Sequence, residues 1–274
     1  MSGVPMRNIG YKKKHHPPYF RCTRCKTLSL NPMPSSWQLM NYYTELNENG
    51  SYSKEIGKQR NHSILDFLDK CTPNSPGKNW LDYGCFDGYL LEQIQFQGYT
   101  GFGVEIQDEA RISASLRATG KVFESLNENQ VEYKMGVISM KDSIEHLVDP
   151  NSLFIELIDL IDHQTELFIQ TPNTRSLSAL IHGKKWACLN SPEHTVIFSK
   201  KGLDIFLSRH GWEIKTVKRV SKLLTIGYVL NQLVNFGGYR KQANYLSRIT
   251  PQKIKNIEVR FMGGEIFVHA VRRE

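Results

Sequence analysis

Residues 79–106 constrain the fold more than any other stretch of this chain. An apolar run through Trp80 and Leu81 ends in an acid, Asp82, and glycines at 84 and 88 then open an amphipathic segment. A second apolar run begins at Gly101 and ends at Glu105 and Ile106. Strand, glycine turn, helix, strand and acid, in that order, describe a β-α-β unit with a nucleotide-type cofactor site at the carboxyl edge of a parallel sheet. At 274 residues the chain is long enough to bury a full core around such a sheet.

Strands and helices alternate from Trp80 onward. Leu90, Leu91 and Ile94 form the inner stripe of the helix after the glycine turn, and the next helix covers 107–118. Short strands are predicted at 121–125 and 133–140. Leu153, Phe154, Leu157, Ile158 and Ile161 predict a helix over 151–162, and 167–170 reads as a buried strand stopped by Thr171-Pro172-Asn173. Residues 174–198 read as irregular. Ser199 caps a helix over 200–210 that Gly211 ends, and 212–220 and 265–271 are the last strands. Ile226, Val229, Leu230, Leu233 and Val234 predict an amphipathic helix within an insertion at 223–247, serving as a lid, a packing element or a membrane-surface helix. Upstream, Trp37, Met40 and Tyr43 share one helical face, and Ile64, Leu65 and Leu68 share another. The pattern is that of an α/β fold with a doubly wound, mostly parallel sheet, in a domain over 36–274 with its core at 78–220. Residues 1–35 form a small basic appendage.

The net charge is +8, with 23% charged residues, and it is unevenly placed. Arg7, Lys12, Lys13, Lys14, Arg21, Arg24 and Lys26 all precede the first acid, Glu45, and a second cluster is Lys215, Lys218, Arg219 and Lys222. Such clusters suit phosphates on RNA, a nucleotide-linked substrate or an anionic membrane; a solvated basic face is the plain alternative. Five cysteines lack the density of a disulfide scaffold. There is no signal-type apolar region behind the N-terminal basic residues and no run long enough for a membrane span, so a reducing, cytoplasmic compartment is expected. Cys22 and Cys25 have the spacing of half a zinc knuckle, with His15 and His16 nearby. No other metal site is indicated.

The dinucleotide fingerprint G-x-G-x-x-G is absent, because Cys85, Phe86 and Asp87 separate the glycines and Tyr89 takes the third-glycine position. A cofactor without phosphates asks only for close backbone approach at Gly84 and a tight helix entry at Gly88. Glu105 would accept hydrogen bonds from ribose hydroxyls. Asp82 either contacts the cofactor or anchors the turn through backbone amides. Asp87 reads as a helix cap and Cys85 as a small buried hydrophobe.

Leu81-Asp82-Tyr83-Gly84-Cys85-Phe86-Asp87-Gly88 resembles the first motif of class I S-adenosylmethionine-dependent methyltransferases, and Gly103-Val104-Glu105 resembles the second. The run from Asp142 through Glu145, His146 and Asp149 to Pro150 is similar to the D-V-L-E-H-x-x-D-P run of the branch that includes ubiquinone-type and sugar or polysaccharide methyltransferases. Thr171-Pro172-Asn173 and Pro192-Glu193-His194 match the same branch, so the likeness spans about residues 20–272. The resemblance implies a seven-stranded Rossmann-like sheet and S-adenosyl-L-methionine as cofactor. Asp82, Tyr83, Gly84, Phe86 and Gly88 would then line the cofactor, with Glu105 on the ribose, Ile106 on the adenine and Asp142 near the methionine amino group or the substrate. It further implies that the N-terminal cysteines are a degenerate zinc ribbon. Phe86 departs from the family, standing where a middle glycine is common.

Methyl transfer needs an aligned acceptor and, for a hydroxyl, a base; histidine is the usual choice. His194 and His146 are the candidates, with Glu145 to orient an imidazole, although Glu145 and His146 also read as stabilisers of a local helix. Trp186 is a pocket wall or a core residue. The substrate implied by the resemblance is a small hydroxylated molecule, a sugar or glycan precursor. RNA methylation and a non-catalytic scaffold are the alternatives.

Overall fold

The computed structural model describes residues 6–8, 17–48, 54–74, 78–126, 133–235 and 240–273. Three short strands come first: β1 (Met6–Asn8), β2 (Tyr19–Cys22) and β3 (Leu28–Leu30). Two helices follow, α1 (Ser36–Glu48) and α2 (Lys54–Leu68). The alternating stretch runs β4 (Asn79–Tyr83), α3 (Tyr89–Gln95), β5 (Thr100–Val104), α4 (Asp108–Arg117), β6 (Val122–Phe123), β7 (Val137–Lys141), α5 (Pro150–Glu156) and β8 (Glu166–Pro172). Then come α6 (Leu177–His182), β9 (Val196–Ile197), α7 (Lys200–Arg209) and β10 (Trp212–Arg219). The chain ends with β11 (Lys222–Thr225), α8 (Ile226–Asn235), α9 (Arg240–Ile249), α10 (Gln252–Lys255), β12 (Glu258–Phe261) and β13 (Glu265–Arg272).

Seven strands form one sheet in the order β10-β13-β8-β7-β4-β5-β6. β4 pairs in parallel with β5 on one side and β7 on the other, and β13 alone runs antiparallel to its neighbours β8 and β10. The chain leaves β4 toward β5 and β6, then returns to build β7 and β8. The carboxyl end of β4 is therefore the topological switch point, where a doubly wound sheet opens its crevice.

Both faces of the sheet are covered, so adjacent strand residues are buried on opposite sides. Leu81, Ile138, Ile169 and Val268 meet Phe154 and Leu207 on one face. Trp80, Val137, Phe168 and Phe267 meet Phe67 and Leu91 on the other. This double burial is why the strands read as continuous apolar runs rather than alternating ones.

Several local expectations are corrected. Leu65 is 39% exposed, and the buried face of α2 is Ile64, Phe67 and Leu68. Trp37 lies outward and Leu39 inward on α1. The helix over 151–162 is α5 followed by a 3₁₀ turn at Leu157–Leu160, which leaves Ile158 exposed. Residues 174–198 hold α6 and β9. The insertion is larger than 223–247: β11 and β12 pair as an antiparallel ribbon that carries α8, α9 and α10 between them. Four-residue strands are too short for a periodicity to show, so these elements had no sequence signal.

The N-terminal strands join a second sheet, β1-β2-β3-β9, with β9 supplied from the middle of the chain. Beneath it Tyr19, Leu28 and Leu30 pack on Trp186, Leu189 and Ile197. The N-terminal segment is thus fastened to the segment just before α7.

Candidate active site

The glycine turn sits at the switch point. Gly84 and Gly88 have φ of +79° and +76°, the left-handed conformation in which a side chain is strained. A Cβ at Gly84 would lie 2.8 Å from the Ser143 Cβ, and one at Gly88 would lie 2.7 Å from the Ala114 Cα. Gly84 thus keeps its exposed backbone open at the strand end, and Gly88 lets α4 pack directly on the turn. Phe86 is left-handed too, at φ +50°. The Arg60 guanidinium of α2 lies 4.0 Å from the centre of its ring and also pairs with Asp87. Gly88 rather than Asp87 is the N-cap of α3, without a side-chain cap bond, which corrects the reading of Asp87 as the cap; Asp87, one residue earlier, accepts from the Tyr89 amide at 3.2 Å.

Glu105 ties this turn to the next strand. One carboxylate oxygen accepts from the Phe86 amide at 2.9 Å and the other from the Gln107 amide at 2.8 Å. Burial raises its pKa, against the pull of those amides. Each oxygen keeps a second lone pair, so a ribose diol fits beside these bonds. Ile106, next to it, is 48% exposed, an apolar surface suited to a purine face. Asp82 is buried and accepts from the Ser139 hydroxyl at 2.7 Å, which in turn accepts from the Trp80 indole at 2.8 Å. Its anchor is a side chain on β7 rather than backbone amides, and burial pushes its pKa up to about 6. Tyr83, half-buried, packs against the core, with its phenol pushed up to about 12 by burial. The left-handed cradle, the diol acceptor and the apolar neighbour together fit an adenosyl cofactor.

The three residues proposed for chemistry come together. Glu145 and His146 lie on a 3₁₀ turn, Ile144–His146, just past β7. The His146 and His194 rings meet edge to face with centroids 4.7 Å apart. One donor atom from each of Glu145, His146 and His194 lies within 4.8 Å of the others, a group able to hold a metal ion. Both imidazoles hydrogen-bond backbone groups. The His194 Nδ1 lies 2.8 Å from the Cys188 carbonyl, and His146 bonds the Glu193 backbone. The Glu145 carboxylate instead accepts from the Thr171 hydroxyl at 2.9 Å. Burial and the Asp142 charge push Glu145 up to about 8, while burial and His194 push His146 down to about 3. Burial lowers His194 as well. Imidazoles this weakly basic remain neutral at neutral pH.

Comparison with known proteins agrees with this geometry. The profile of a family described as a methyltransferase domain matches residues 56–217. The chain belongs to the methyltransferase-domain family. The seven-stranded sheet is the Rossmann-like fold that the resemblance to class I S-adenosylmethionine-dependent methyltransferases implies. Ubiquinone biosynthesis O-methyltransferase of Salmonella paratyphi A is 29% identical over 118 residues, 40% of this chain and 46% of that protein. The Hahella chejuensis enzyme of the same name is 28% identical over 127 residues, 42% of this chain and 52% of its own. The chain thus spans about half the length of the curated relatives it matches. Among solved structures, the YcgJ protein of Bacillus subtilis superposes with a TM-score of 0.54 at 12% identity, covering 78% of this chain and 99% of that one. That likeness concerns the fold alone.

Beside the candidate site the structure adds Lys141, Gln170, Lys222 and Glu265, which the sequence did not assign to it. Asp142, at φ +52°, is gripped by Lys141 at 2.6 Å and by Lys222 at 3.4 Å. Burial alone would raise its pKa, but the two ammonium groups outweigh burial and hold it well below the usual range. Lys222 also pairs with Glu265 at 2.6 Å, and Gln170 donates to Glu265 at 2.9 Å. Lys222 had been grouped with Lys215, Lys218 and Arg219 as a basic patch; only those three are exposed. Trp186 is a core residue of the methyltransferase, with its indole donating to the Gly263 carbonyl at 3.1 Å. Cys85 is buried with its thiol pushed far up by burial, as a packing residue would be. Cys22 and Cys25 sit at the β2–β3 turn, where the Cys25 amide approaches the Cys22 Sγ at 3.5 Å. Among the described residues no third ligand joins them, and His15 and His16 lie outside those residues.

Proposed function

We propose that this domain transfers a methyl group from S-adenosylmethionine to a hydroxyl of a small polar acceptor, a sugar or glycan precursor. The observation that carries this reading is the Glu145–His146–His194 cluster, on the same sheet edge as Gly84 and Glu105. When bound, the cofactor supplies a methyl already activated on a sulfonium, so the protein's task is to align the acceptor, exclude water and take its proton. The cluster faces that need with two imidazoles and a carboxylate. Beside it Asp142, Gln170, Lys222 and Glu265 present charged and amide groups, which suit a polyhydroxylated acceptor better than an apolar one. Kinship with ubiquinone biosynthesis O-methyltransferases supports oxygen as the methylated atom.

Methylation of RNA is the second reading, favoured by the exposed Lys215, Lys218 and Arg219. It predicts binding that weakens steeply with salt. The deciding experiment incubates the protein and cofactor with nucleotide sugars, glycans and RNA and reads a methyl mass increment. A product only on RNA would overturn the first reading. Failure to bind S-adenosylmethionine by calorimetry would leave a scaffold in place of an enzyme. His194→Ala should lower turnover sharply while cofactor affinity stays unchanged.

A further inference from the structure

We propose that Glu145, His146 and His194 form the binding site of a single divalent transition-metal ion of the zinc type. Three donor atoms from three side chains already lie within 4.8 Å of one another. Two nitrogens and one carboxylate oxygen are the donor set of catalytic zinc sites, which keep a fourth position open. Magnesium and calcium, which favour all-oxygen shells, suit it poorly.

Each ligand is held from behind, as metal ligands are. The Cys188 carbonyl, 2.8 Å from the His194 Nδ1, takes the proton of that nitrogen and leaves the lone pair on Nε2. His146 is oriented by the Glu193 backbone, and Thr171 donates to Glu145 at 2.9 Å. The two segments that carry the ligands are also stitched together. The Thr195 amide donates to the Glu145 carbonyl at 2.8 Å, and the Thr195 hydroxyl donates to the same oxygen at 3.1 Å. Tyr19 donates to the His194 carbonyl at 2.6 Å. Lys141 and Lys222 are committed to Asp142 and Glu265, so among the described residues the Glu145 carboxylate has no cationic partner in a salt bridge.

Resting on the proposed hydroxyl acceptor, the ion gives the cluster its chemical role. The acceptor hydroxyl takes the open position and gives its proton to water. Its oxygen then bonds the methyl carbon, while the carbon–sulfur electron pair stays on sulfur.

The test is titration of metal-free full-length protein with Co²⁺, read by its visible d–d absorption, with zinc competition and elemental analysis. One ion per chain is expected. His146→Gln, His194→Asn and Glu145→Gln should each weaken binding by at least about 100-fold. A Cys22→Ser/Cys25→Ser double variant should bind as the parent does. Circular dichroism and calorimetry with S-adenosylmethionine show that each variant is folded, and any one folded variant suffices. No stoichiometric ion in the parent, parent-like affinity in a folded ligand variant, or loss of the signal in the cysteine variant would each overturn the site. Metal bound without methyl transfer to any acceptor would keep the site and remove the proposed activity. Transfer that persists in chelator with no ion bound would do the reverse.

Discussion

The Tyr19 hydroxyl donates to the His194 carbonyl at 2.6 Å across 175 residues of sequence. One strand of the N-terminal sheet thereby fixes the loop that brings His194 to His146. Pro17 and Ser191 reinforce the same junction, where the Ser191 hydroxyl donates to the Pro17 carbonyl at 3.0 Å. Tyr19→Phe should leave that carbonyl without its donor and cost about 1–3 kcal/mol. Chemical denaturation measures the loss, and turnover should fall with it while cofactor affinity holds.

Gly88→Ala should be among the most damaging single changes. It forces a side chain into a left-handed residue and against the backbone of Ala114 in α4. The cost should be about 1–3 kcal/mol or more, with a matching loss of S-adenosylmethionine affinity measured by calorimetry.

Phe86→Gly should behave differently. Release of left-handed strain, about 1–2 kcal/mol, offsets loss of the Arg60 stacking, about 0.5–1 kcal/mol, and of some apolar burial. Stability should stay within about 1 kcal/mol of the parent. If Phe86 shapes the pocket wall, cofactor affinity falls even so; unchanged affinity would mean that the ring only covers the turn.

Asp82 makes stability depend on pH. Its pKa rises from 3.8 to about 6 in the folded state, chiefly through burial. Its contribution is therefore full below about pH 4 and is lost as pH climbs through about 6, a change on the order of 2–3 kcal/mol. Urea denaturation at several pH values should show this slope, and Asp82→Asn should flatten it while keeping an acceptor for Ser139.

Lys222 joins the insertion to the site. Lys222→Met would leave Asp142 and Glu265 facing each other without their shared cation, costing about 1–3 kcal/mol after allowance for their partial exposure. Lys215→Met, on the exposed face of β10, should change stability by less than about 0.5 kcal/mol. Parallel melting curves would separate the two.

The sequence alone determined the sheet and its switch point, because Asp82, Gly84, Gly88 and Glu105 are local signals. A turn needs its glycines and an acid ends its strand, whatever the rest of the chain does. It also marked His146 and His194 as candidate bases, with Glu145 to orient an imidazole. Only the tertiary structure decided that they converge, that backbone carbonyls orient the imidazoles, and that Lys222 leaves the basic patch to neutralise Asp142. Those outcomes depend on residues 48 to 175 positions apart meeting at one sheet edge, as in Thr195 with Leu147 and Tyr19 with His194. Periodicity and motif spacing act over a few turns of chain. The burial and charge of a site depend on its neighbours in space, so these came only with the fold.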